Sequence, residues 1–255
     1  MLEIQHLTKY YRNTPVVNDV SFTVRPGEVT GYLGPNGSGK STTVKIITGL
    51  IEPSVGKVLL DGADIRQDLV AFKRRLGYVP EEAILYSYLT GLEYLQLIGC
   101  LRGMPVAETE RKANDLLELF SLRLHRHAPI STYSKGMKQR ILISAALLHD
   151  PDVLILDEPL SGIDVTSALL FKHLLNELAR RGKAILYISH VLEVVEKVCA
   201  QVIIIYRGKI MAADSVDRLR DMMNIPTLEG IFAQLVEHRD LESVARDIAY
   251  AIERR

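Results

Sequence analysis

Residues 34 to 42 read Gly34-Pro35-Asn36-Gly37-Ser38-Gly39-Lys40-Ser41-Thr42, a glycine, four residues, then Gly-Lys-Ser. That composition suits the holding of phosphate groups. Glycines let the backbone wind tightly enough to aim its N–H groups at phosphate oxygens. A helix expected to open at Lys40 adds the positive end of its dipole. Lys40 is then expected to reach the β- and γ-phosphates of a nucleoside triphosphate, and the Ser41 hydroxyl to bind Mg²⁺. Thr42 completes this nucleotide-binding stretch.

A second segment fits the same chemistry. Val153-Leu154-Ile155-Leu156-Asp157-Glu158 is an apolar run ending in two carboxylates. Buried on both faces, such a strand would carry Asp157 rigidly to a metal ion. Glu158, one residue beyond, is placed to orient or deprotonate an attacking water. By itself each segment has a plainer explanation, a glycine turn or two solvated acids at a strand end. Together they read as a P-loop and a Walker B strand, and so as a nucleotide triphosphatase.

Elements able to position these groups follow from the residue pattern. The first 33 residues read as strands, with Val17, Val20, Phe22 and Val24 among polar residues and a turn at Pro26-Gly27. A helix is expected from Lys40 to about Leu50, and strands at 57–60 and 76–79. Leu92, Leu95 and Ile98, then Leu116, Leu117 and Phe120 beyond Pro105, recur at helical spacing. A further helix is expected from Gly136 to Leu148, stopped by His149-Asp150-Pro151. Strand signals return at 153–156, 184–189 and 202–206, with helices beginning near Ser167 and Leu192. Strands alternating with helices predict an α/β fold whose sheet contains parallel strands. The expected organisation is one domain over 1–255. Its core is 1–84 and 151–212, its helical subdomain 85–150, and its helical tail 213–255.

Composition narrows the setting. The chain has 255 residues, 47% of them hydrophobic and 24% charged, a balance typical of a folded globular protein. Lys plus Arg and Asp plus Glu both total 31, so no global field recruits nucleic acid. Cys100 and Cys199 are isolated thiols that suit a reducing cytosol. No apolar run approaches the ~20 residues that a bilayer requires. A soluble chain is expected, with any membrane role supplied by a partner. His125 and His127 lie in a basic stretch with no third ligand nearby and read as solvated.

The kind of triphosphatase turns on Tyr133-Ser134-Lys135-Gly136-Met137-Lys138-Gln139-Arg140. This segment resembles the signature motif of ABC ATPases, usually Leu-Ser-Gly-Gly-Gln followed by a basic segment. Other pieces fall in the family's order. Tyr11 matches the aromatic residue that stacks on adenine, and Glu81 stands where the family usually has the Q-loop glutamine. Ser161-Gly162-Ile163-Asp164 resembles the D-loop, and His190 matches the switch histidine. Taken alone, His190 and Tyr11 would read as structural packing; the ordered series changes that. The resemblance covers residues 2 to about 212.

It implies a P-loop NTPase of the ABC type, a mixed sheet core with N-terminal antiparallel strands and an inserted helical subdomain. It also implies ATP and Mg²⁺ as cofactors, with Ser41, Asp157 and, in place of glutamine, Glu81 at the metal. In the family, Ser134 and Gly136 bind the γ-phosphate of ATP held by a second cassette, packed head to tail. The expected partners are thus a second ABC ATPase subunit and an integral-membrane subunit. The expected location is cytoplasmic, at the inner face of the membrane through that partner. Lys135 and Met137 depart from the signature, and these variants resemble prokaryotic exporters of drugs, antibiotics or ions. Those exporters often carry a Leu-Glu-x-x-Phe-like tail; compare Leu228-Glu229-Gly230-Ile231-Phe232. Residues Pro80 to Tyr88, with Ile84, Leu85 and Tyr86 expected to be exposed, are the candidate docking segment. A single-cassette iron–sulfur assembly ATPase is the alternative function. A small-molecule kinase would leave the signature and His190 unexplained.

Overall fold

The structure is a computed structural model that describes residues 1–160 and 164–236. Among the described residues the strands form two sheets. β1 (Leu2–Tyr11) and β2 (Thr14–Val24) are long strands, as the alternation of Val17, Val20, Phe22 and Val24 predicts, and they pair antiparallel. β3 (Val29–Leu33) leaves for the other sheet, and β4 (Val55–Leu60) and β5 (Ala63–Asp64) return to the first, in the order β2-β1-β4-β5.

The larger sheet adds β6 (Leu76–Val79), β7 (Val153–Asp157), β8 (Ala184–Ile188), β9 (Gln201–Tyr206) and β10 (Lys209–Asp214), in the order β10-β9-β3-β8-β7-β6. Only β10 runs antiparallel to its neighbour. β3, β7 and β8 are buried at every position, as expected of parallel strands covered on both faces. Register matters most for function. Tyr32 and Asp157 both pair with Ile188, so β3, β7 and β8 end at one level. The residues that follow them, beginning at Gly34, Glu158 and Ser189, therefore emerge side by side at the carboxyl edge of the sheet. That edge is where open α/β sheets place their ligands.

Helix α1 (Lys40–Ile47) follows the glycine loop and stops short of Leu50, because Thr48 closes its last turn and Gly49 turns left-handed at φ +67°. α2 (Leu69–Arg74) carries an Asp68 cap. The insertion between β6 and β7 is helical. α3 (Gly91–Leu101) opens with a complete capping box, Thr90 and Glu93 each bonding the other's backbone N–H. α4 (Val106–Leu119) starts at Pro105, and α5 (Lys135–Leu147) is capped by Ser134. α5 packs on β6, and its Leu142, Ala145 and Ala146 share one buried cluster with Leu154 of β7. The insertion is thus tied to the main sheet through its last helix.

α6 (Val165–Arg180), α7 (Leu192–Val198), α8 (Val216–Met223) and α9 (Leu228–Val236) complete the described chain. The expected helical tail is helical through Val236, and the rest of it, 237–255, lies outside the described residues. Among the described residues, no helix is long and apolar enough to cross a membrane.

Candidate nucleotide site

The glycine loop is built by steric demand. A Cβ on Gly34 would stand 2.4 Å from the Ile205 carbonyl oxygen and 2.5 Å from Ser38 Oγ, so no larger residue fits without moving the loop. Gly39 sits at φ +108° as the residue before α1, with a Cβ position 2.7 Å from the Val16 carbonyl oxygen. No side chain caps α1, so the first N–H groups of the helix stay open at the loop. The loop is also anchored from behind. Gly208 N–H donates to the Ser38 carbonyl at 2.8 Å, joining it to the turn between β9 and β10. Lys40 Nζ donates to the Gly34 and Pro35 carbonyls at 2.5 and 3.0 Å, which holds the ammonium within the curl.

A cleft of about 490 Å³ opens above this loop. Gly34, Pro35, Asn36, Gly37, Gly39, Lys40, Ser41 and Thr42 line it together with Glu81, Asp157, Glu158 and His190. Ser38 lies buried beneath it. Residues from four separate segments thus converge as their types suggested. Val16, Ser189, Leu192 and Phe232 also line the cleft and were not among the expected site residues. For Ser189 the available clue was its place between an apolar strand and His190; for Phe232 it was the Leu-Glu-x-x-Phe pattern in the tail.

Charge in the cleft is unbalanced, with three carboxylates facing one lysine. Burial, together with the charges of Glu81 and Glu158 and against the opposing Lys40, pushes the Asp157 carboxyl up to about 6. Burial lowers the Lys40 ammonium, while Glu158, Asp157 and Glu81 hold it up. A dication beside Asp157 would relieve this excess of negative charge, and the Ser41 hydroxyl offers a neutral oxygen ligand. Among the described residues no group of three or more His, Cys, Asp or Glu side chains could hold a metal ion. One buried carboxylate, Asp157, with the Ser41 hydroxyl suits Mg²⁺, which is bound by one or two carboxylates plus substrate phosphates.

Glu158 is held more firmly than any other acid in the cleft. Its Oε1 accepts the His190 backbone N–H at 2.8 Å and lies 2.6 Å from His190 Nδ1. Its Oε2 accepts the Ser189 hydroxyl at 3.2 Å, and Ser189 Oγ in turn accepts the Val191 N–H at 3.1 Å. These contacts secure a residue at φ +47°, a left-handed backbone that costs a non-glycine residue about 1–2 kcal/mol. Hydrogen bonds to a charged group are worth about 1.5–3 kcal/mol each, so the network outweighs the strain.

Other predicted residues stand outside the cleft. Tyr11 ends β1, half exposed, with the Lys9 ammonium 5.8 Å from its ring centre. Its strand partner Thr14 lies two residues before Val16. Ser134 and Gly136 lie at the start of α5 and are not part of the cleft lining; the Ser134 hydroxyl accepts the Met137 N–H at 3.2 Å. Asp164 caps α6 by accepting the Ser167 N–H and hydroxyl. The remaining D-loop positions, 161–163, lie outside the described residues. Leu85 departs from the expected exposure: it packs against the main core, whereas Ile84, Tyr86 and Tyr88 are 82%, 53% and 76% exposed.

Residues 17–161 match the family model described as ABC transporter. The chain belongs to the ABC transporter family. This ABC ATPase is 37% identical over 217 residues to the ABC transporter ATP-binding protein NatA of Bacillus subtilis, covering 85% of this chain and 88% of the relative. It is 38% identical to the linearmycin resistance ATP-binding protein LnrL of the same organism, covering 83% and 68%. Among solved structures, an ATP-binding subunit of an ABC transporter superposes with a TM-score of 0.88 at 33% identity, covering 92% of this chain and 99% of that one. The ATP-binding cassette MJ0796, solved as a dimer bound to ADP and Pi, gives a TM-score of 0.79 at 25% identity, covering 85% and 99%. The ABC ATPase fold, with its antiparallel N-terminal sheet, mixed main sheet and helical insertion, is therefore the fold of this chain.

Proposed function

We propose that this ATPase powers export through a separate integral-membrane subunit, working as a pair of cassettes that sandwich ATP. The observation that carries the reading is that the motif residues do not all meet in the one cleft. The glycine loop, Asp157, Glu158 and His190 share one cleft, while Ser134 and Gly136 lie apart from it. A second copy turned head to tail would bring its Ser134 and the start of its α5 to this cleft. The dimeric solved cassette favours that pairing, and the drug-resistance relative favours export.

In this reading Lys40 and the loop N–H groups hold the triphosphate, and Tyr11 meets the base. Ser41 and Asp157, with Glu81 beside them, hold Mg²⁺, which when bound offsets phosphate charge. Glu158 takes the proton of the attacking water as the new O–P bond forms and the bond to ADP breaks. His190 Nδ1 and the Ser189 hydroxyl keep that carboxylate aimed. Ser189→Ala is expected to lower kcat about tenfold and leave the ATP KM within twofold, since the lost hydrogen bond orients Glu158 and touches no nucleotide. Ser189→Thr should retain activity. Steady-state kinetics with kcat and KM resolved separately check this, and an unchanged kcat in Ser189→Ala removes Ser189 from the mechanism.

Docking to the membrane subunit is assigned to the segment that follows Glu81. Tyr86 is within ring contact of Tyr88 and Tyr94, at centroid distances of 6.0 and 6.4 Å, and Ile84, two residues earlier, is exposed. Aromatic and aliphatic anchors of this kind suit a protein interface. Closure on ATP would shift Glu81 and carry the segment with it. Ile84→Asp and Tyr86→Ala are expected to weaken co-purification with a multi-span protein encoded by an adjacent gene, with ATP affinity of the chain unchanged. Pull-down from detergent extract beside an ATP titration measures both quantities. Retention of the partner by both variants places docking elsewhere, and failure of the unsubstituted chain to retain such a partner rejects the transporter reading.

A further inference from the structure

The C-terminal helices are integral to the nucleotide-binding core. α9 packs on α7 and α8, and its Leu228 and Ile231 are fully buried in the cluster that contains Leu33 and Val195. Gly230 lets the link from α8 fold close against α9, since a Cβ there would stand 2.6 Å from Ile225 Cγ2. Phe232, adjacent to Ile231, is only partly buried and borders the cleft above the glycine loop. Leu192, the first residue of α7 and two positions after His190, borders it as well. Among the described residues of this lining, Phe232 brings the one phenyl ring, and with Val16, Pro35 and Leu192 it supplies the apolar part of a site otherwise rich in glycines, hydroxyls, carboxylates, an imidazole and a lysine.

We propose that Phe232 is part of the nucleotide site: its ring and Leu192 form an apolar flank that covers bound nucleotide, so that helix α9 responds to occupancy. The inference rests on the assignment of the cleft as the ATP site. A ring that served only to seat α9 had no need to face the cleft, because Leu228 and Ile231 already anchor the helix. An apolar flank near the His190–Glu158 pair keeps bulk water from that carboxylate and strengthens the electrostatic interactions around it. It also links the nucleotide to α9.

The chain contains no tryptophan, so Phe232→Trp in the full-length protein places a single indole at the proposed contact. MgATP and MgADP titrations would follow its emission and its quenching by acrylamide. Leu124→Trp, at a position 94% exposed on the helical insertion, serves as the control. The expected result is a saturable emission change with reduced quenching for Phe232→Trp, and a silent control. Half-saturation should match the ATP Kd measured independently by equilibrium dialysis. Phe232→Ala should weaken that Kd by about two- to tenfold, the worth of an aromatic contact, with Phe232→Leu intermediate. If Phe232→Ala fails to fold, the tryptophan and leucine variants decide the matter. An unresponsive Phe232→Trp whose dialysis shows bound ATP overturns the role of Phe232 and leaves the ATP site standing. Absence of ATP binding by the unsubstituted chain overturns both.

Discussion

Glu158→Gln is expected to bind ATP with nearly unchanged affinity and to turn it over roughly 10²–10⁴-fold more slowly, the usual loss when a general base is removed. The geometry makes this substitution informative. Glutamine keeps the volume of the side chain, and its amide oxygen can still accept the His190 backbone N–H that Glu158 Oε1 accepts at 2.8 Å. The left-handed backbone at φ +47° is retained because the following strand-end contacts are unchanged, including the Glu158 N–H bond to the Ile188 carbonyl at 2.9 Å. What disappears is the basic carboxylate. Asp157 is not expected to replace it: its carboxyl is buried at the end of β7 and is assigned to the metal ion. Single-turnover hydrolysis beside an ATP titration separates the chemical step from binding. Turnover within threefold of the unsubstituted enzyme would show that another group activates the water.

Ser134→Arg, added to Glu158→Gln, is expected to abolish an ATP-dependent dimer that Glu158→Gln alone forms. Slowed hydrolysis lets the ATP-bound pair accumulate. Ser134 caps α5 with its side chain at the surface, outside the cleft that contains the glycine loop of its own chain. An arginine there removes the hydroxyl and intrudes a long side chain where the facing subunit must approach. The cap itself is worth about 1 kcal/mol, too little to unfold a domain held by α5 packing on β6. Light scattering of both proteins with MgATP, in the presence of the membrane partner, reads the change in mass. A dimer that persists in the double variant, or fails to form in Glu158→Gln, excludes the head-to-tail arrangement.

Much of the site was legible because its chemistry lies within short contiguous stretches. Strand, glycine loop and helix follow one another between Val29 and Ile47, so neighbouring residues on one backbone generate the phosphate-binding curl. The same holds for the apolar β7 ending in Asp157 and for the Ser134 cap that opens α5. Helix boundaries were less legible. α1 ends at Ile47 because Gly49 turns left-handed, a backbone choice that the helical pattern through Leu50 did not reveal. Leu85 misled for a related reason: exposure in a loop depends on what packs against it, and here the main core does.

By itself, then, the amino-acid sequence determined the chemical groups, their order along the chain and the local shapes that present them. Composition and periodicity were enough to require an α/β core with a helical insertion. The tertiary structure alone decided which distant segments meet. Ser189 and His190 reach Glu158 because β7 and β8 pair in a register that sets Asp157 opposite Ile188. Phe232 reaches the cleft because α9 packs on α7, while Tyr11 stands outside the cleft lining despite its motif. The physical reason is that residues close in sequence are positioned by a few backbone angles between them. Residues remote in sequence are brought together by strand register and helix packing, to which the entire core contributes.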